Sequence, residues 1–317
     1  MEEILSLRIY QTLVGIIGIL GNGLVCVVIW KTPAMQNRTN AFIFHQAVID
    51  FLGSTMILLK SEVPVPDPIP DNALGVFLCH VWYTFILFFF FVLSSFNLLI
   101  LTMERYFAIV HPFKYQVTFS SWPHLKVGLA MAMCWVCAIA IKSYLLFIYD
   151  EQDGVCAPVV RSQVLGILTL VLQYVLPVTV MLFAYIRIGV EMKRGAARVG
   201  PTSVAEHSAS GSNVPSMAES LLQARRNTFK MLLIVFITFL VCWTPNQVLF
   251  FAYNIGFYVD FENWLFLLSV AMVATNSCVN PMIYGLKYRQ FRKGLREMVC
   301  GRRNIRDEFG TMSTSVA

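Results

Sequence analysis

Seven long apolar stretches dominate the chain, each interrupted by only a few polar positions: Ile9–Trp30, Asn40–Leu59, Val76–Met103, Val127–Phe147, Ser162–Ile186, Lys230–Tyr258 and Asn263–Leu286. Each reaches the roughly 20 residues that a helix needs to cross a hydrocarbon layer. Hydrocarbon offers no partner for a free backbone N–H or C=O, so each must be helical. The two-residue alternation of barrel strands is absent. The expected fold class is all-α, a seven-transmembrane helix bundle over residues 1–286, followed by a short amphipathic helix.

The connections are read from their own patterns. Residues 194–225 include VGPTSVAEHSASGSNVPS, a Ser-, Gly- and Pro-rich composition that builds no core and predicts a disordered third loop. After the seventh stretch, Phe291, Leu295, Met298 and Val299 recur at helical spacing among basic residues. This predicts a membrane-surface helix over 287–300, with 301–317 as a flexible tail. Cys300 at its end is a candidate palmitoylation site, the alternative being an unmodified thiol in a basic tail.

Composition agrees with this picture. Hydrophobic residues make up 57% of the chain and charged residues 13%, against about 25% charged in a soluble domain; the mean hydropathy is +0.66. Charge then orients the bundle. With the amino end outside, 20 of the 24 Lys and Arg fall on the inner side, leaving Arg8, Lys60, Lys142 and Arg161 outside. The net charge of +6 thus describes an inner face drawn to anionic membrane lipid, with no nucleic-acid partner implied. Glu2 and Glu3, in place of a basic cluster, mark the first stretch as an uncleaved anchor. The predicted placement is a multi-pass protein of the plasma membrane with its carboxyl end in the cytoplasm.

Polar groups inside the spans are costly and therefore informative. Asp50 stands in the second stretch with no Lys or Arg near its depth, while Asn22, Ser94, Asn97, Asn276 and Asn280 lie where they could meet it. A carboxylate among neutral oxygens suits a small cation such as sodium; the alternative is a protonated Asp within an amide network. Pro177, Pro245 and Pro281 interrupt the last three helices, each removing a backbone hydrogen bond. Glu104-Arg105-Tyr106 at the inner end of the third is a candidate switch. Most of the eight cysteines read as core thiols, but Cys79 and Cys156 both fall on the oxidising side and predict a disulfide. An intramembrane hydrolase would need paired acids or a Ser–His pair within the spans, and Asp50 stands alone, so no catalytic residues and no enzyme are expected. A transporter or channel remains the alternative from another class, although no internal repeat is visible.

In order, Gly21-Asn22, Asp50, Glu104-Arg105-Tyr106, Trp135, Pro177, Tyr185, Cys242-Trp243-Thr244-Pro245 and Asn280-Pro281-Met282-Ile283-Tyr284 resemble the motifs of the rhodopsin-like (class A) G-protein-coupled receptors over nearly the whole chain. The resemblance implies that Arg105, released from Glu104 beside Tyr106, contacts a heterotrimeric G protein. It implies that Trp243 reports ligand arrival, that Pro245 is a pivot, and that Asn280, Pro281, Tyr284 and Tyr185 rearrange on activation. It also implies that Asp50, Ser94, Asn276 and Asn280 hold an allosteric sodium ion; no other cofactor is expected. Arrestin and receptor kinases are implied as further partners.

Two departures stand out. Cys79 lies one residue further from Arg105 than the usual spacing, which implies a bulged or extended start to the third helix. Position 225, where some relatives carry an acid facing the Arg, is Arg225, so a lock from the sixth helix is unavailable. As for the ligand, the seventh stretch has no Schiff-base lysine, and Leu87 stands where amine receptors carry an Asp. The expected contacts are Leu87, Phe88, Phe91, Asn246, Gln247 and Phe250. Acidic outer loops would steer a cationic ligand inward. Lys60 and Lys142 would either meet a carboxylate or snorkel to the interface. The likeness is greatest to neuropeptide receptors of the galanin, allatostatin and somatostatin sort, so a peptide is the expected ligand, with a lipid or other small molecule as the alternative.

Overall fold

The computed structural model describes residues 2–63, 65–159, 162–198, 217–260 and 263–310. Seven helices in it are long and apolar enough to cross a membrane. The first two are Glu2–Lys31 and Arg38–Glu62, and the third runs over Ala73–Val110. The fourth is Pro123–Lys142, the sixth Met217–Asn254 and the seventh Trp264–Lys287. The fifth is built from Gln163–Leu170, a π-helical turn Val171–Val175 and Leu176–Arg198. Their outward faces remain apolar: Leu20, Leu129, Met133, Val136 and Val241 are each more than half exposed. That much apolar surface is stable only against lipid.

Several boundaries differ from those read in the sequence. The fifth helix continues to Arg198 and the sixth begins at Met217, so both described ends of the expected loop 194–225 are helical; residues 199–216 lie outside the described residues. The sixth helix ends at Asn254 rather than Tyr258. Gly256, at φ 104°, reverses the chain there, and the Phe257 N–H closes back on the Ala252 carbonyl at 3.0 Å. The last helix spans Arg289–Gly310, longer than the expected 287–300 and reaching into the expected tail; residues 311–317 lie outside the described residues. Its apolar face is divided. Phe291 is buried against the bundle while Val299 and Cys300 are exposed, so Val299 and Cys300, and not Phe291, are free to meet a membrane surface.

Packing follows from side-chain size and from the prolines. The first and second helices lie close together because Gly18 faces Ser54: a Cβ there would collide with the Ser54 hydroxyl. Pro281 has no N–H, so the carbonyl one turn earlier, at Ser277, loses its helical partner. The Asn22 side-chain amide of the first helix donates to that carbonyl at 2.8 Å. In the turn before Pro177, the Ser95 hydroxyl of the third helix approaches the Gln173 carbonyl at 3.5 Å.

The third helix absorbs the additional residue near Cys79 as a π-helical stretch, Leu78–Phe85. A π turn accommodates one extra residue without breaking the helix. Cys79 is joined to Cys156, which sits on a two-stranded antiparallel hairpin, β1 (Tyr149–Gln152) with β2 (Val155–Pro158).

Candidate functional site

Polar groups gather at three levels of the bundle. At the disulfide end, a cavity of about 320 Å³ opens among the third to seventh helices. Five of the six expected ligand contacts, Phe88, Phe91, Asn246, Gln247 and Phe250, line it, whereas the sixth, Leu87, packs against the core and does not. Trp243 forms its floor, 3% exposed and edge-on to Phe91 at 6.4 Å.

A chain of amides borders this cavity, and its direction is fixed by its last member. Ser269 donates to the Phe266 carbonyl at 2.7 Å. Its oxygen must therefore accept from Asn246 Nδ2, at 3.2 Å, and Asn246 Oδ1 from Gln247 Nε2, at 3.3 Å. Gln247 Oε1 in turn accepts from Gln173 Nε2 at 3.0 Å, which leaves Gln173 Oε1 buried with no partner. Trp243 Nε1 is buried and unpartnered too.

The two lysines noted in the sequence part company. Lys60 donates to the Tyr83 carbonyl at 2.7 Å. Lys142 does not snorkel: it is 5% exposed, lines the cavity, and places Nζ 5.5 Å over the Phe88 ring.

At mid-bundle, a second directed chain ends on Asp50. The Trp135 indole can only donate, so His45 Nε2 accepts at 2.9 Å and the neutral imidazole carries its proton on Nδ1. That proton goes to Asn97 Oδ1 at 2.8 Å. Asn97 Nδ2 donates to Gln46 Oε1 at 2.8 Å, and Gln46 Nε2 to Asp50 Oδ2 at 3.0 Å. Asn280 Nδ2 and the Ser94 hydroxyl complete the carboxylate's partners at 2.8 and 2.9 Å. Asn276 is buried but makes no hydrogen bond to Asp50, and its Oδ1 is unpartnered. A cation there needs oxygens in place of amide N–H groups. Asp50, Ser94 and Asn276 offer such oxygens, while Gln46 and Asn280 point nitrogen at the carboxylate.

The third level lies at the Arg105 end. Arg105 holds its own neighbour Glu104 through both Nε and Nη2, at 2.5 Å each. Glu104, 6% exposed, also accepts from Tyr115 Oη at 2.6 Å, and more distantly from Thr39 at 3.4 Å. Burial and the Glu104 charge raise the Tyr115 phenol above its ordinary pKa. Arg225 is exposed, and the only ion pair of Arg105 among the described residues is with Glu104. Tyr106 stands aside, its hydroxyl 3.3 Å from His111 Nε2. Tyr185 ties the fifth helix to the sixth by donating to the Leu232 carbonyl at 3.0 Å. Tyr284 is fully buried with an unpartnered hydroxyl. Tyr288, just past the seventh helix, is pushed up to about 12 by burial and donates to Asn40 Oδ1 at 2.6 Å.

The structure thus groups Phe88, Phe91, Trp243, Asn246, Gln247 and Phe250 in one cavity, and Asp50, Ser94 and Asn280 in one network. Sequence reasoning missed Gln46, His45, Tyr115 and Gln173, and left Lys142 undecided. Gln46 and Gln173 are amides inside apolar runs, so intramembrane polarity alone would have signalled both.

The whole motif-bearing region, residues 21–284, matches the family model of the 7 transmembrane receptor (rhodopsin family). Among similar proteins, galanin receptor 2b of Danio rerio is 29% identical, over 90% of this chain and 73% of its own length. A QRFP-like peptide receptor of Branchiostoma floridae is 26% identical, over 92% and 76%. The melatonin receptor type 1A of Mus musculus is 27% identical, over 90% and 77%. With seven helices, the disulfide-tethered hairpin and the matched region in place, the chain belongs to the rhodopsin family of seven-transmembrane receptors.

Proposed function

We propose that this receptor binds an extracellular peptide in the cavity at the disulfide end and activates a heterotrimeric G protein at the Arg105 end. The amino end lies outside and the carboxyl end in the cytoplasm of the plasma membrane, as the placement of 20 of the 24 Lys and Arg supports. The observation that carries the reading is the position of Trp243. It is at once the cavity floor and part of the sixth helix, two residues before Pro245. The same helix is bound to Tyr185 at Leu232, three turns nearer the Arg105 end. Ligand pressure on Trp243 therefore acts on a helix whose swing would open the face around Arg105. The peptide relative supports a peptide ligand; the melatonin receptor, at similar identity, is the reason to test small molecules beside it.

Asp50, Ser94, Asn276 and Asn280 would hold sodium in the resting state only when the Gln46 amide turns away from the carboxylate. Sodium sensitivity of agonist affinity is then modest in the wild type, larger in Gln46→Leu and absent in Asp50→Asn. Equal sensitivity in all three would remove the site. Arrestin and receptor kinases are further partners on the inner face, and Cys300 is exposed for acylation.

The test is a peptide-library screen with several G-protein readouts in membranes, with small-molecule ligands as a second arm. Ligand-dependent nucleotide exchange that disappears in Arg105→Ala, with surface amount kept, is the expected result. Substrate flux without exchange would overturn it in favour of a transporter.

A further inference from the structure

Among the described residues, Lys142 is the one cationic side chain lining the cavity, and no acidic side chain lines it. It is 5% exposed and has neither an ion pair nor a hydrogen bond among the described residues, only the Phe88 ring beneath it at 5.5 Å. Lys60, at a comparable position in its helix, is satisfied by a carbonyl, so the missing partner of Lys142 is not forced by depth. The last turn of the fourth helix favours a cation, but that attraction offsets only a small part of what burying an unpaired charge costs. A group retained at such cost in a cavity wall is explained by what enters the cavity.

The second orphan narrows the chemistry. The amide chain fixed by the Phe266 carbonyl leaves Gln173 Oε1 as a buried acceptor bordering the same cavity. The remaining lining is mostly aromatic and aliphatic. A volume of about 320 Å³ lies at the small end of ligand pockets, which hold about 300–1,000 Å³. It takes the end of a peptide rather than its body.

We propose that the cavity seats a carboxylate on Lys142, carried by an apolar group that also presents an N–H to Gln173. This is the chemistry of a peptide's free C-terminal residue, and equally of an N-acyl amino acid. It rests on the cavity being the ligand site, and it specifies that the ligand enters acid-end first. C-terminal amidation removes the charge that Lys142 meets and abolishes tight binding.

The experiment reads binding by thermal stabilisation of the full-length receptor in nanodiscs, which needs no G protein. The probes are short peptides ending in Phe, Leu or Ile, as free acids and as amides, beside N-acyl derivatives of the same amino acids as acids and amides. Free acids should bind at least about tenfold more tightly than their amides, in one probe class or in both; the class that binds identifies the source of the carboxylate. Lys142→Met should erase the difference, and Lys142→Arg should keep it. Unliganded Lys142→Met should melt no lower than the wild type, because it sheds an unpaired buried charge; a purely structural lysine would lower it. Gln173→Leu should weaken acid binding without removing the acid-over-amide preference. The proposal falls if acids and amides bind alike, if no acid stabilises the wild type, or if unliganded Lys142→Met melts several degrees lower. Acid-selective binding without nucleotide exchange would keep the anchor and refute G-protein coupling instead.

Discussion

Glu104→Gln is the most direct perturbation of the resting state. The substitution keeps the shape of the side chain but removes its charge, and turns one acceptor oxygen into an N–H₂ that opposes the guanidinium. Breaking a buried ion pair from one side costs about 3–5 kcal/mol. Here the Arg105 side chain is 21% exposed, and glutamine retains one acceptor. A loss of about 1.5–3 kcal/mol, the scale of hydrogen bonds to charged groups, is therefore the appropriate expectation. At about 1.4 kcal/mol per decade, the ratio of held to released Arg105 falls by about tenfold to a hundredfold. A receptor resting at about 99:1 would then show basal activity between about a tenth and about half of maximum. Ligand-free nucleotide exchange on purified G protein, at matched receptor amounts in nanodiscs, measures this directly. Because no acid of the sixth helix shares the guanidinium among the described residues, no second ion pair compensates the loss. Wild-type exchange rates in Glu104→Gln would refute Glu104 as the restraint, and Arg105→Ala must silence both proteins.

Tyr115→Phe should act in the opposite direction. Once Arg105 leaves, Glu104 is a buried carboxylate without a counter-ion, and the Tyr115 hydroxyl matters more to it than before; basal exchange should therefore fall, and a rise would reverse the assignment. Asn22→Leu strands the Ser277 carbonyl and should cost about 1–3 kcal/mol of stability. Adding Pro281→Ala restores an N–H to that carbonyl, so the double variant should recover most of the loss; strictly additive melting temperatures would argue against the compensation. Replacing Cys79 and Cys156 by Ser opens a link across 77 residues, at about 2–4 kcal/mol. A lower melting temperature and weaker ligand stabilisation are expected, and unchanged values for both would make the hairpin tether dispensable.

The spans were legible because lipid imposes one rule on every stretch of chain that crosses it. Element ends were less so. The fifth helix outruns its apolar residues to Arg198, since basic side chains extend a helix beyond the membrane as readily as they end a span. The one-residue surplus before Arg105 was visible as spacing, but only coordinates show it taken up between Leu78 and Phe85. The ion pair of Glu104 with Arg105 was readable because its members are adjacent. Gln46 stands out as an intramembrane amide, but its partner and that of Tyr115 were not readable, because each depends on which neighbour is faced across 4 and 11 residues. Lys142 is ambiguous in the sequence, which places a lysine near a membrane boundary; only packing decides whether its amine reaches water or a cavity.

The bond from Asn22 to the Ser277 carbonyl bears on how the seventh helix can move. A helix broken by proline normally carries its weak point within itself, and its two halves can rock independently of their surroundings. Here the gap left by Pro281 is bridged from the first helix, so the break is a joint with two members. Any bend that displaces Ser277 must either carry Asn22 with it or leave a buried carbonyl bare. The first helix, none of whose described residues lines the cavity, thereby sets how far the seventh can bend.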